Sequence, residues 1–300
     1  SAIINNQDIA NNNNNNNNNE ELKPDLSTTN EIATLSMKMK MNNIENQRNK
    51  EDEANGEVNN STDDNNSGNK SDDVTIATYH ELGKLTLESI PKRFKLYELL
   101  VKDHPTKVGK NASTNERLEK NDQRGTLVYG EISFNSFAVA MEKVINKYGG
   151  LQDSGGIFYD IGSGTGKPAL AAALLHDFDE VKGIEILDGL FKISLQIQAV
   201  WEEKIVPLLS DKKAKTKVTF TKGDATLLDW SDATCIFANS TCFDDNLMKK
   251  LAENSESCPS GTFFITFTRK LPSENWKVLE HESHPMSWGH ATVFIHKKIN

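Results

Sequence analysis

The chain has 300 residues, a net charge of −9, 36% hydrophobic residues and three cysteines. No run approaches the roughly 18 apolar residues of a membrane span, and the polar start lacks a signal-peptide core. Cys235, Cys242 and Cys258 are odd in number and form no Cys-x-x-Cys pair. They give neither a disulfide framework nor a zinc cage, so the composition points to the reducing cell interior rather than secretion.

Residues 1–73 read as a disordered, low-complexity tail. Asn11 to Asn19 is an unbroken asparagine tract, and Ser, Asp, Glu and Asn dominate as far as Asp73. Such a segment cannot bury enough apolar surface to offset its backbone entropy. Its one apolar interruption, Ile32 to Met41, reads as more solvated tail. The tail holds six of the 34 basic and fourteen of the 43 acidic residues, so it carries most of the net charge and leaves the remainder near neutral. No basic arm for nucleic acid results. The cluster Lys212-Lys-Ala-Lys-Thr-Lys217 reads as lysines of a solvated loop.

Residues 74–150 form a helical leading region. From Tyr79 to Lys102 apolar residues recur at helical spacing, with Pro91 dividing two helices. Asp103 to Gln123 is polar and reads as a linker or mobile loop. Val128-Tyr-Gly-Glu-Ile-Ser-Phe134 follows, and Phe137 to Ile145 resumes as a helix before Gly149-Gly150.

Residues 151–300 alternate apolar runs with helical patterns, the signature of an α/β fold. Ile157 to Ile161 is a strand-like run containing Asp160. Gly162, Gly164 and Gly166 free the backbone for a tight turn, and Pro168 to Leu175 is a helical pattern. A phosphate loop fails on spacing, because no glycine stands five residues before Gly166, and Pro168 replaces the Ser or Thr that would meet magnesium. A dinucleotide fingerprint needs two residues before its last glycine, where this chain has one. The remaining Asp160-x-Gly162-x-Gly164-x-Gly166 turn resembles the first motif of class I S-adenosylmethionine-dependent methyltransferases.

Downstream spacing supports that reading. Lys182 to Ile186 carries Glu185 where an open α/β sheet places an acid against ribose hydroxyls. Val218 to Asp224 ends in Gly223-Asp224, followed by Ala225, on the side where that class meets adenine. Cys235 to Asn239 ends in a polar residue at the same edge. Each terminus alone is an ordinary strand cap, whereas the ordered set of four is specific. His281 and His284 lack a metalloprotease frame and sit in a strand-like run, so no metal site is expected.

From Val128 to Asn300 the chain resembles the disruptor-of-telomeric-silencing family, the non-SET histone H3 lysine methyltransferases. Val128-Tyr-Gly-Glu131 with Ser133-Phe134 matches the family's cofactor-covering loop, and Asp160 to Gly166 its glycine motif. Gly183-Ile-Glu185 matches its ribose acid, Gly223-Asp224 its adenine-side acid, and Ile236-Phe-Ala-Asn239 with Phe243 its channel segment. Ser287-Trp288 and the strand around Phe294 resemble the tryptophan-bearing segment that walls the lysine channel.

The resemblance implies a Rossmann-like, seven-stranded, mostly parallel mixed sheet and S-adenosyl-L-methionine as cofactor. It also implies a histone H3 lysine in nucleosomes as substrate and a nuclear setting. Asp160, Gly162, Gly164, Gly166, Glu185, Asp224 and Ala225 would hold the cofactor, with Tyr129 and Glu131 closing over it. Asn239 would orient the methyl group or amine, and Phe243 and Trp288 would line the channel. Two departures bear on the substrate: Ser240 replaces a second asparagine, and Val293 stands where the family has a channel tyrosine. The family's basic nucleosome-binding extension is also not evident. A methyltransferase of another protein or small molecule, or a catalytically silent cofactor binder, are the alternatives.

Overall fold

The structure, a computed structural model, describes residues 82–300 except 287 and 288. The tail expected at 1–73, the start of the first helical pattern at Tyr79, and Ser287-Trp288 lie outside the described residues.

Pro91 opens one helix rather than dividing two. A 3-10 turn, Leu87–Ser89, leads into α1 (Ile90–Val101), whose first turn contains the proline. Proline costs nothing there, because the first N–H groups of a helix have no intrahelical acceptor. Helix α1 buries Ile90, Leu96 and Leu100, and also Arg93, whose Nε donates to Leu174 O at 3.2 Å and Nη2 to Gly83 O at 2.7 Å. Desolvation pulls the Arg93 pKa down to about 10.

The segment expected to be a linker is a helix, α2 (Thr106–Glu119). Its buried face is Gly109, Ser113 and Glu116. That face recurs at helical spacing but is made of small and polar residues, so a search for apolar periodicity passes over it. Helix α3 (Phe134–Glu142) is capped by Ser133 Oγ, which accepts from Ser136 N at 3.1 Å, and runs on into a π-turn, Lys143–Lys147.

Seven strands follow, interleaved with helices: β1 (Ile157–Ile161), α4 (Lys167–Leu175), β2 (Glu180–Glu185), α5 (Asp188–Val200), β3 (Lys217–Lys222) and β4 (Cys235–Ala238). The chain continues through α6 (Asp245–Asn254), β5 (Phe263–Phe267), β6 (Trp276–Met286) and β7 (Gly289–Lys298). They form one mixed sheet in the order β3-β2-β1-β4-β5-β7-β6, parallel except for β7. Strand order reverses between β1 and β4, where Asp160 pairs in register with Gly183 on one side and Phe237 on the other. Ligands of open α/β sheets bind outside the carboxyl ends of the strands at such a point.

Strand alternation divides the core into two layers. Phe158, Phe237, Phe263 and Ile265 face α1, α3, α4 and α5, in a core that the leading helices share with the sheet. Tyr159, Ile184, Ile236 and Phe264 face Trp230, Met248, Leu251 and Trp276. Cys235 and Cys258 are buried packing residues. Lys213 is buried, contrary to the solvated-loop reading: its Nζ donates to Ala173 O at 3.1 Å and pairs with Asp177 at 2.9 Å. With Arg93 it places two cations on the carbonyls ending α4, where the helix dipole favours positive charge. Among the described residues no helix is long and apolar enough to cross a membrane.

The chain returns from β5 to β6 without a helix, through residues 268–275. Leu271 fixes this crossover by burying its side chain and donating its N–H to His296 Nε2 at 3.1 Å. His296 Nδ1 lies 2.9 Å from Phe264 O, so Nδ1 carries the proton and the ring is neutral. Burial lowers its pKa to about 4, and that of His176 likewise. Both rings protonate in the unfolded chain near pH 6.5 but resist protonation when folded, so stability present above that pH is lost as pH falls toward 4. About 2 kcal/mol per ring is expected to be gone by pH 5. The guanidinium unfolding midpoint should therefore drop between pH 7.5 and 5; a level midpoint would contradict neutral, buried rings.

Candidate active site

The glycine turn after β1 is the floor of the site. Gly162, Gly164 and Gly166 take φ of 71°, 56° and 80°, in the left-handed region that side chains disfavour. The turn is tied to β2 by Gly162 N and Ser163 N, which both donate to Ile184 O at 2.9 Å. Space is also limiting at Gly164: a Cβ there would lie 2.5 Å from Tyr129 Cε2.

Asp160 is fully buried at the end of β1. Its Oδ2 accepts from Ala169 N at 3.1 Å, in the first turn of α4, while Oδ1 is buried without a hydrogen-bond partner among the described residues. Desolvation, with a smaller contribution from nearby Glu185, holds its carboxyl well above the usual range. Ser163 Oγ is a second buried oxygen without a partner among those residues. Glu185 Oε2 accepts from Gly164 N at 2.7 Å and Oε1 from Leu187 N at 2.8 Å, so this carboxylate braces the turn as well as lining the site. Burial raises its pKa against those two bonds.

Asp224 follows β3 and turns the chain through Oδ1, which accepts from Thr226 N at 2.9 Å and Thr226 Oγ1 at 2.8 Å. Ala225 is fixed by its carbonyl, which accepts from Trp230 Nε1 and Asn254 Nδ2, each at 2.9 Å. Beyond β4, Asn239 Nδ2 donates to Gly130 O at 2.9 Å and Oδ1 accepts from Thr241 Oγ1 at 3.0 Å. The Phe243 ring stands over the turn, its Cζ 3.3 Å from where a Gly162 Cβ would be.

The strap Tyr129-Gly130-Glu131 closes over this floor. Tyr129 Oη donates to Glu131 Oε1 at 2.6 Å and lies 2.7 Å from Thr165 Oγ1. Glu131 also accepts from Lys167 Nζ at 2.7 Å and from Thr106 Oγ1 at 2.6 Å, so one carboxylate joins strap, turn and the start of α2. Burial and the Glu131 charge push the Tyr129 phenol well above its ordinary pKa. On the other flank Glu116 accepts from Asp188 N at 3.0 Å and Gly189 N at 2.7 Å, capping α5 from α2.

A single cleft of about 290 Å³ joins these groups, lined by Tyr129, Glu131, Asp160, Gly162, Gly164, Glu185, Asp224, Ala225, Asn239 and Phe243. Gly166 lies beneath the lining, packed against the Phe220 ring. Trp288 lies outside the described residues. Ser240 is buried and donates to Phe267 O at 2.5 Å, and Val293 packs in the main core. Sequence reasoning missed Tyr97 and Lys167, which also line the cleft. Lys167 was legible as the basic residue after Gly166, whereas Tyr97 sits in a helix whose pattern reads as core. The unmet oxygens of Asp160 and Ser163 and the carboxylates at the ends of β2 and β3 suit a nucleoside that offers several hydrogen-bond donors.

Sheet order, the glycine turn and acids at successive strand ends define a class I methyltransferase. The model of the histone methylation protein DOT1 family matches residues 111–288, more than half of the chain, and the protein belongs to that family. It is an S-adenosylmethionine-dependent methyltransferase. No curated protein matches the chain. Among solved structures, an RNA methyltransferase from Salinibacter ruber in complex with S-adenosyl-L-homocysteine is 22% identical over 48% of this chain and 82% of its own, with a TM-score of 0.38. TrmN from Thermus thermophilus is 14% identical over 61% and 53%, at 0.45. A putative S-adenosyl-L-methionine-dependent methyltransferase from Methanococcus maripaludis is 15% identical over 64% and 94%, at 0.40.

Gly164→Ala tests the fit of strap to turn. The added methyl group meets Tyr129 at a strained φ, which should cost about 1–3 kcal/mol of stability and at least about tenfold in affinity for S-adenosylhomocysteine. Calorimetry and thermal unfolding measure both, and unchanged affinity would dissociate the strap from the cofactor site.

Proposed function

We propose that the protein is a lysine N-methyltransferase acting on histone H3 in nucleosomes, and hence a nuclear chromatin enzyme. The observation that carries this reading is the match to a histone methylation family over residues 111–288, together with the Tyr129 to Glu131 strap held against the glycine turn.

When bound, S-adenosylmethionine supplies a methyl group already activated by its sulfonium charge. The protein's own task is to hold a neutral amine in line with that group and exclude water. The strap and Phe243 cover the cleft, and a dry channel favours the uncharged amine. Both ends of the Asn239 amide are engaged, by Gly130 O and Thr241 Oγ1, which fixes its plane. The carbonyl oxygen keeps a second lone pair with which to accept from an incoming amine. An aromatic wall such as Phe243 would attract the methylammonium formed, by roughly 0.5–2 kcal/mol.

A second reading, a different protein or small-molecule amine as substrate, is favoured by Val293. This residue packs in the core and does not line the cleft.

Radiolabelled S-adenosylmethionine presented with nucleosomes, free histones and substrate-depleted extract separates the two. Label is expected on histone H3 in nucleosomes. Label only in the extract would replace the first reading with the second, and binding of the cofactor with no transfer anywhere would overturn both.

A further inference from the structure

Tyr97 is contributed by α1, ahead of the segment the family model covers, yet it lines the cleft. Its ring is held by Phe134 and Phe94, with centroids 4.7 and 6.4 Å away. Ring position is thus set by packing, independently of the hydroxyl. That hydroxyl makes no hydrogen bond among the described residues, in contrast to Tyr129, whose hydroxyl is engaged by Glu131 and Thr165. The phenol is only partly exposed, and burial together with the Glu131 charge raises its pKa, so it is a neutral donor throughout the physiological range. In the free protein such a half-buried donor is met by water, and a ligand in the cleft that carries an acceptor can take the place of that water.

The cleft's two ends differ in chemistry. Glu185 and Asp224, at the ends of β2 and β3, mark the end suited to ribose and adenine. Across the glycine turn lie Glu131 and Lys167, paired at 2.7 Å, and Tyr97 is near enough for the Glu131 charge to act on its phenol, so a carboxylate, an ammonium and a free hydroxyl share this end. A nucleoside lying from one end to the other would place its amino-acid arm beside this group. The ammonium of such an arm needs an acceptor, which Glu131 provides, and its carboxylate needs donors.

We propose that the Tyr97 hydroxyl donates to the α-carboxylate of the bound cofactor, making Tyr97 a binding residue that selects for ligands carrying an amino-acid arm. The inference rests on S-adenosylmethionine as cofactor and is independent of the methyl acceptor.

The test is calorimetry of the wild-type chain and Tyr97→Phe with two probes, S-adenosylhomocysteine and 5′-methylthioadenosine, which lacks the amino-acid arm. Phenylalanine keeps the ring contacts, so the thermal midpoint without ligand should be unchanged. The variant is expected to bind S-adenosylhomocysteine about tenfold more weakly, the worth of one hydrogen bond to a charged group. Its affinity for 5′-methylthioadenosine should equal that of the wild type. Equal affinities of variant and wild type for both probes would overturn the proposal, as would equal weakening for both. A wild-type chain that binds neither probe would overturn the cofactor assignment itself, which distinguishes that failure from the failure of Tyr97.

Discussion

One phenol ring wedged between two glycines holds the site together. The Tyr129 ring fills the space that side chains at Gly109 in α2 and Gly164 in the turn would occupy. Its hydroxyl then reaches both Thr165 and Glu131. Helix, strap and turn therefore cannot vary separately: a larger residue at either glycine displaces the ring, and a displaced ring releases the carboxylate that gathers Lys167 and Thr106. The same face of α2 carries Glu116, which caps α5 beside the ribose-side acid. One polar helix thus braces the two ends of the cleft, which makes its composition a requirement of the site rather than filler between domains.

The charges beneath the strap are arranged against their own solvation. Asp160 and Glu185 are both buried, and their mutual repulsion adds to desolvation in raising the Asp160 pKa. Glu185 is compensated by two backbone N–H groups, whereas one Asp160 oxygen is not compensated at all among the described residues. A site with this imbalance is poised to favour a ligand that brings donors, because the ligand removes a cost the free protein already carries.

Much of this was legible because the backbone demanded it. A turn needing positive φ at three alternate positions must show glycine there, and acids at strand ends announce themselves when the strands are short apolar runs. Asp160, Glu185, Asp224 and Asn239 could therefore be placed at one edge before any coordinates. Helix α2 could not, because its buried face is built of glycine, serine and a capping glutamate, and hydrophobic periodicity detects only faces that are apolar. Tyr97 was hidden for the opposite reason: it obeys the apolar period of α1, and nothing in that pattern separates a ring packed in the core from one whose hydroxyl is left over. Lys213, read as one lysine of a solvated run, shows the same limit, since its burial is decided by the carbonyls ending α4.

The position of β7 imposes an order of assembly on the chain. Strands β5 and β6 share no ladder: β5 pairs with β4 and β7, β6 pairs with β7 alone, and β7 follows both in the chain. Until residues 289–298 arrive, β5 presents Phe263-Phe-Ile-Thr-Phe267 as an open, apolar sheet edge, the kind of edge that recruits strands from other chains. During synthesis, then, the half of the sheet that contains the glycine turn and its acids can form early, while the other half waits exposed. The vulnerable interval for aggregation ends only when the antiparallel strand slots between its two neighbours.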